Sequence, residues 1–132
     1  MDIKARQERL VAANSIIAEI AGCCRKFFLH GGEVSKIEMD RRGRLWFVDS
    51  YEGYRTYLHY SGPWRKFHNG GTLRNLVEYL RDFILHGSAL PSRIFGPWPD
   101  WRNGGDIWGY GKDNMERIRA KALDLGMLRV KS

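Results

Sequence analysis

Two short polar turns, each containing a late glycine, constrain the fold of this chain more than any other feature. The first turn is Asp40–Arg44, with Gly43 near its end, and the second is Asp49–Gly53. A glycine late in a polar turn suits a hairpin loop whose last position requires a positive φ, because glycine has no Cβ to clash there. The segments around the turns alternate or are β-branched and aromatic, as strands are. The sequence therefore predicts a three-stranded antiparallel meander at 34–60.

The pairing of the first two strands decides which side chains are buried. Ile37 and Met39 are two residues apart with charged neighbours, and pairing them with Phe47 and Leu45 would place these four residues on a buried face. The opposite face would then carry Lys36, Glu38, Arg44, Trp46 and Val48. A slip of one residue would exchange the two faces, so the sequence leaves the assignment open.

Apolar residues recurring at intervals of three and four predict three amphipathic helices, at 3–24, 72–86 and 114–125. The stripe of the first helix contains Ile3, Leu10, Ala13, Ile17, Ile20, Ala21 and Cys24. The second contains Leu73, Leu76, Val77, Leu80, Phe83 and Ile84, with Arg74, Glu78, Arg81 and Asp82 on the solvent side. The third contains Met115, Ile118, Ala122 and Leu125, with Arg117, Arg119 and Lys121 facing outward.

The helix boundaries follow from capping chemistry. Thr72 and Asp113 are predicted as N-caps, and Gly87 and Gly126 as the glycines that end their helices. The residues 27–29 are a candidate fourth strand, and 127–130 a final extended piece. The predicted fold class is α+β: a three- or four-stranded antiparallel meander packed against an amphipathic helix, with N- and C-terminal helices, in one domain spanning 1–132.

Composition excludes several classes of protein. The apolar fraction of 43% and the aromatic fraction of 13% argue against disorder. No apolar run approaches the roughly 18 to 20 residues needed to cross a bilayer, and acidic residues interrupt any signal-peptide core. The only cysteines, Cys23 and Cys24, are adjacent and form neither a disulfide framework nor a zinc motif. A reducing, cytoplasmic location is expected.

The charge is +7, and its distribution is the main functional clue. Residues 36–74 contain eight basic and four acidic groups, and residues 88–132 eight and five. A basic surface favours polyanionic partners, although many proteins are basic for solubility alone. The hypothesis is that the protein binds nucleic acid or a nucleoprotein surface, with a set of basic residues contacting phosphates: Arg41, Arg42, Arg44, Arg55, Arg65 and Lys66.

The segment 61–71 has two interpretations. Two glycines precede the second helix and basic residues lie just upstream, so backbone amides at the helix N-terminus are a candidate phosphate site. The alternative is a plain connector in which Trp64 and Phe67 pack onto the sheet.

The segment 88–111 also has two interpretations, and one of them leads to a competing function. It is either a strap whose tryptophans cover the sheet or a binding loop whose aromatic rings stack on bases or fill a partner's pocket. In the first binding role the loop would add to the nucleic-acid contact of the arginine-rich hairpin, and in the second it would bind a protein partner through Trp98, Trp101, Arg102 and Trp108. A binding loop would suit a small phage or mobile-element accessory protein that inhibits a host protein or nucleoprotein complex, as anti-CRISPR proteins do.

The sequence favours a non-enzymatic protein without cofactor or metal. The four histidines are scattered without ligand spacing, and Cys23 and Cys24 lie beside the apolar stripe. A small enzyme whose site is assembled by the fold, for instance from His68, Asp100 and Asp106, is the third alternative. In topology alone, the meander and helix resemble DNA-binding domains that lay a sheet in the major groove, and a basic aromatic sheet face resembles single-strand RNA binders.

Overall fold

The structure is a computed structural model. It describes residues 3–22, 28–30, 32–49, 53–58, 64, 71–91 and 112–128. Within these residues there are three helices, α1 (Ile3–Ala21), α2 (Gly71–His86) and α3 (Lys112–Asp124). Five strands lie between α1 and α2: β1 (Leu29–His30), β2 (Glu33–Val34), β3 (Lys36–Met39), β4 (Leu45–Val48) and β5 (Arg55–Tyr57).

The meander forms as predicted. The strands β3, β4 and β5 make an antiparallel sheet in that order. Ile37 is the register partner of Phe47, and Met39 is the partner of Leu45. The predicted register is therefore confirmed, and with it the buried face, where Ile37, Leu45 and Phe47 are at most 3% exposed. The α+β fold class is confirmed as well.

Both hairpin turns use the predicted glycine. In the first, the Gly43 amide donates to the Asp40 carbonyl and the Asp40 amide donates to the Arg44 carbonyl, so three residues form the loop. Gly43 has φ +78° and Gly53 has φ +73°, the left-handed conformation that other residues rarely adopt. The turn chemistry fixes the loop length, and the loop length fixes the register.

Of the candidate fourth strand at 27–29, Leu29 lies in a strand, but that strand does not join the meander, and residue 27 lies outside the described part. The strand β1 pairs instead with β2 in a separate two-stranded ladder. The reason lies at the edge of β3, where the Asn14 side chain of α1 bonds both backbone groups of Ile37. An edge whose amide and carbonyl are already bonded offers no template for another strand.

The core lies where α1 meets α2, α3 and the sheet. Because α1 contacts all three at once, its buried surface is wider than one stripe and includes Ile16, which the periodicity did not select. Ile3 was predicted to be in the stripe, but at the first residue of the helix it is 43% exposed. Cys24 lies outside the described residues. The stripes of α2 and α3 are buried as predicted at the following positions: Leu76, Val77, Leu80, Phe83, Ile84, Met115, Ile118 and Ala122.

The ends of α2 and α3 are confirmed at the C-termini and corrected at the N-termini, and α1 ends at Ala21 rather than at the predicted residue 24. Gly87 and Gly126 have positive φ, and their amides donate to the carbonyls of Phe83 and Leu123. Thr72 and Asp113 are not N-caps, because α2 begins at Gly71 and α3 at Lys112. Asp113 still lies in the first turn of α3, where a negative charge favours the helix dipole.

The polar side of α2 is more buried than predicted. Arg81 is 5% exposed and its Nε lies 3.0 Å from Asp82 Oδ1. The Arg74 side chain is 15% exposed, because its guanidinium lies over the Trp64 ring and pairs with Glu78. Arginine can be buried in this way when its charge is paired and its stem covers an apolar surface.

Two long-range contacts lie at or just beyond the C-terminal ends of α2 and α3. Arg9 of α1 donates through Nε to the Ile84 carbonyl in the last turn of α2 at 2.9 Å, where a positive charge favours the helix dipole. After α3 the chain forms an isolated parallel bridge between Leu90 and Leu128, so the predicted extended piece is present as far as Leu128. Residues 129 and 130 lie outside the described part.

None of the described helices has both the length and the apolarity that a membrane span requires.

Candidate nucleic-acid interface

The side of the meander opposite the core carries a group of aromatic and charged side chains. We call it the aromatic-basic face and define it by Lys36, Glu38, Arg44, Trp46, Arg55 and Tyr57. These side chains come together because strand residues alternate between faces, and the burial of Ile37, Leu45 and Phe47 turns their neighbours outward.

A tilted pair of aromatic rings lies at the centre of this face. Trp46 and Tyr57 are register partners on β4 and β5, with ring centroids 5.3 Å apart and planes inclined by 33°. The Arg55 guanidinium lies 4.8 Å from the centroid of the Trp46 ring. The Arg44 guanidinium lies 5.9 Å from the Trp46 ring and 5.7 Å from the Tyr57 ring. These distances are within the range of cation–π attraction, so the two arginines and two rings form one connected unit.

The carboxylate of Asp40 organises both the turn and this unit. Its Oδ1 accepts from the amides of Arg42 and Arg44, each at 2.9 Å. Its Oδ2 accepts from Arg44 Nε at 2.8 Å and from Trp46 Nε1 at 3.0 Å. One side chain therefore fixes the loop backbone, a guanidinium and the indole together. These donors, the Trp46 indole first and then the Arg44 and Arg42 groups, hold the pKa of Asp40 far below its ordinary value of 3.8, against a smaller opposing effect of burial.

The lowered pKa of Asp40 predicts how the hairpin responds to acid. A carboxyl whose pKa is lower in the folded state contributes stability that is fully present above its unfolded pKa and is lost as the pH falls through the folded pKa. We expect the Cγ chemical shift of Asp40 in an NMR titration to stay constant as the pH falls through the ordinary value of 3.8. In Trp46→Phe, which lacks the indole donor, the midpoint should move upward. A midpoint at or above 3.8 in the unchanged protein would contradict this account.

Charge is unevenly distributed between the face and the turn. On the face, Glu38 Oε2 lies 3.3 Å from Lys36 Nζ and Glu38 Oε1 lies 3.4 Å from Arg55 Nε. With Asp40 paired to Arg44, most of the positive charge there is balanced. At the turn, Arg41 and Arg42 are exposed, and their side chains have no hydrogen bond or ion pair with any part of the chain that the structure describes. The unbalanced positive charge therefore lies at the tip.

The N-terminal part of α1 reaches the same turn. Gly43 is buried, and a Cβ built on it would lie 3.5 Å from Arg6 Nη1. A guanidinium from α1 thus lies beside the loop that holds Arg41 and Arg42. Arg6 was not among the predicted site residues, because no local pattern connects it with a turn more than thirty residues away.

The structure brings four of the predicted basic residues together on the first hairpin and its neighbouring strand: Arg41, Arg42, Arg44 and Arg55. Arg65 and Lys66 lie outside the described residues, as do Trp98, Trp101, Arg102 and Trp108. Trp64 is described and is 1% exposed, which agrees with the connector interpretation for that residue. Over the described residues, no group of three or more potential ligand side chains is arranged to hold a metal ion.

Sequence reasoning missed the residues that give the face its order. Asp40 was recognised only as a turn residue, and Trp46 only as a member of one strand face. The spacing of Asp40, Arg44 and Trp46 by even numbers of residues was a usable signal, because such positions share a face along a strand and across a hairpin whose loop has three residues.

Comparison with known proteins gives a family but no activity. The chain is 27% identical over 124 residues to the SPbeta prophage-derived uncharacterized protein YoqU of Bacillus subtilis (strain 168), an alignment that covers 92% of this chain and 83% of that protein. No solved structure matches the chain. The YoqU family model matches residues 4–131, which include every described element except the first residue of α1. The chain therefore belongs to the YoqU family.

Proposed function

We propose that this YoqU-family protein is a non-enzymatic nucleic-acid-binding protein of a mobile element, and that it binds through the aromatic-basic face and the Asp40–Arg44 turn. One observation carries the proposal: the guanidinium groups of Arg44 and Arg55 lie over the adjoining rings of Trp46 and Tyr57 on the side of the sheet that faces away from the core. The prophage origin of the Bacillus relative supports the mobile-element part.

Both components of this face suit a nucleic acid. Aromatic rings and guanidinium planes stack on bases, and arginine side chains bond phosphate oxygens through several N–H groups. The exposed Arg41 and Arg42 supply charge that no described carboxylate neutralises. Asp40 holds Arg44 and the indole in place before a ligand arrives, which lowers the ordering cost of binding.

Salt dependence tests the proposal. If several phosphates are neutralised, the affinity for a labelled oligonucleotide, measured by fluorescence anisotropy, should fall about tenfold or more between about 50 and 200 mM salt. The double replacement Arg41→Ala with Arg42→Ala should weaken binding at low salt and reduce the slope of log affinity against log salt by about two.

The control removes positive charge elsewhere. Arg117 is an exposed arginine of α3 whose ion pair with Glu19 is of the weak surface kind, and Arg117→Ala should change the slope little. An equal loss per charge removed in Arg117→Ala would show general attraction without a site. Absence of binding at low salt, or binding that ignores salt, would overturn the proposal.

The prophage origin of the Bacillus relative also favours a second candidate, an accessory protein that binds and inhibits a host protein. Under this proposal the anchors are Trp98, Trp101, Arg102 and Trp108, which lie outside the described residues. Alanine at Trp98, Trp101 or Arg102 should then cost about 2 kcal/mol or more of partner affinity without unfolding the protein. A pull-down from host lysate with nuclease treatment separates the candidates, because a protein partner survives nuclease and a nucleic acid does not.

A further inference from the structure

We infer that the aromatic-basic face takes an unpaired strand, with one or two bases stacking on the unit formed by Trp46, Tyr57 and the guanidinium groups over them, and with the phosphates along the Arg41–Arg42 tip. This inference rests on the proposed function and names its ligand as single-stranded nucleic acid rather than a duplex. Three observations carry it: the hydrogen bonding of the indole, the placement of charge and the size of the sheet.

The Trp46 side chain can offer a ligand only its ring. Its single donor, Nε1, is bonded to Asp40 Oδ2 at 3.0 Å, and an indole has no acceptor nitrogen. Reading the edge of a base pair in a groove depends mainly on hydrogen-bond donors and acceptors. A ring without them contributes to binding by stacking, and a base is free to stack on protein only when it is not enclosed in a duplex.

The charges on the face direct the backbone of the ligand away from the rings. The carboxylates of Glu38 and Asp40 border the aromatic pair and are held there by Lys36, Arg55 and Arg44. A phosphate placed over the rings would meet the guanidinium groups of Arg44 and Arg55, but both are already paired with these carboxylates, so it would gain less there than at an unpaired arginine. Arg41 and Arg42, exposed at the turn, have no ion pair with any described carboxylate. In a single strand the bases splay to one side of the backbone, so the bases could lie at the aromatic pair while the phosphates lie at the turn. A duplex presents its phosphates on the outside.

The dimensions of the sheet agree with a short contact. Strands of three or four residues are about 10 to 13 Å long, and three of them are about 10 Å across. That area accommodates one or two stacked bases. A duplex site recognised over one helical turn extends about 34 Å, well beyond this surface.

Competition binding at low salt tests the inference. The probes are a labelled homopyrimidine DNA strand, an RNA strand of the same sequence, and a DNA duplex containing that strand. We expect both single strands to bind at least about tenfold more tightly than the duplex, and their ratio to show whether a 2′-hydroxyl contributes. Duplex binding equal to or tighter than single-strand binding overturns this inference and leaves the proposed function standing. Absence of binding to every probe overturns both.

Variants at Tyr57 test the stacking itself. Tyr57→Leu keeps an apolar side chain on β5 but removes the π-face, and we expect single-strand affinity to fall between about fivefold and about 100-fold. Tyr57→Phe keeps the ring and should bind within about twofold of the unchanged protein, while duplex affinity stays the same in both. Circular dichroism confirms that each variant is folded. If Tyr57→Phe loses as much affinity as Tyr57→Leu, the contact is made by the hydroxyl and the stacking arrangement is wrong.

If Tyr57→Leu fails to fold, Trp46→Phe supplies the second measurement. It retains a ring but loses the bond to Asp40, so single-strand affinity should fall less than tenfold and remain above duplex affinity. A Trp46→Phe protein that prefers the duplex would overturn the inference.

Discussion

Replacing Trp64 by alanine should lower the free energy of unfolding by about 3 to 5 kcal/mol, the largest effect we expect from any single substitution among the described residues. Trp64 is 1% exposed and is the largest fully buried side chain described. Its ring also supports Arg74, whose guanidinium carbon lies 4.1 Å from the ring centroid. Alanine would leave a cavity and remove the apolar platform beneath a largely buried cation, so both losses act together.

Urea unfolding followed by far-ultraviolet circular dichroism measures this effect, with Trp64→Phe as the matched control. Phenylalanine retains a ring beneath Arg74 and most of the buried volume, so its loss should be less than half that of alanine. Domains of this size are usually stable by only about 5 to 15 kcal/mol, and Trp64→Ala is therefore expected to be partly unfolded near physiological temperature. A loss below about 1 kcal/mol would show that Trp64 does not anchor the connector to the core.

Trp64 also shows what the sequence can and cannot decide. The segment 61–71 contains aromatic, basic and glycine residues, which suit either a connector or an anion site. Composition does not distinguish them, because burial depends on where α2 places Arg74 and Glu78. The connector interpretation agrees with the structure for Trp64. The phosphate-site interpretation involves Arg65, Lys66 and His68, which are outside the described residues, and stays a prediction.

The meander was predictable because its information is local. Each turn begins with aspartate and contains a glycine with positive φ, so the loop lengths follow from the residues themselves. Once the first loop has three residues, the pairing of Ile37 with Phe47 follows, and alternation then assigns every side chain to a face. The C-terminal ends of α2 and α3 were predictable for the same reason, because Gly87 and Gly126 act on their own last turns.

The errors came from contacts between residues distant in sequence. Arg74 and Arg81 were assigned to solvent because charged residues usually are, but a ring and a neighbouring carboxylate cover them. Arg6 reaches Gly43, and Arg9 reaches the end of α2, through packing that no period reveals. The same distinction between local and long-range information applies to the candidate site. Its arginines were found from charge, whereas Asp40 acquires its role only when the hairpin closes and brings Trp46 Nε1 to it.

Asn14 is the clearest of these long-range contacts. It lies within α1, where asparagine has a poor intrinsic preference. Its Nδ2 donates to the Ile37 carbonyl at 2.9 Å and its Oδ1 accepts from the Ile37 amide at 2.7 Å. The side chain therefore completes the hydrogen bonding of the β3 edge and joins α1 to the sheet. Because β3 carries Lys36 and Glu38, this link also fixes the aromatic-basic face relative to the helices.

Asn14→Ala should lower the free energy of unfolding by about 2 to 4 kcal/mol, because two half-buried backbone groups lose their partners at once and each costs about 1 to 2 kcal/mol. Asn14→Asp is the informative companion. It keeps an oxygen for the Ile37 amide but turns a carboxylate oxygen toward the Ile37 carbonyl, so at neutral pH it should be nearly as unstable as Asn14→Ala. In acid the carboxyl of the Asn14→Asp variant is protonated and can donate to the Ile37 carbonyl again. The loss of unfolding free energy in Asn14→Asp, relative to the unchanged protein, should therefore shrink as the pH falls, whereas the loss in Asn14→Ala should stay constant. Urea unfolding at neutral and acidic pH measures both differences. Equal pH dependence in the two variants would show that water, rather than Asn14, satisfies the edge of β3.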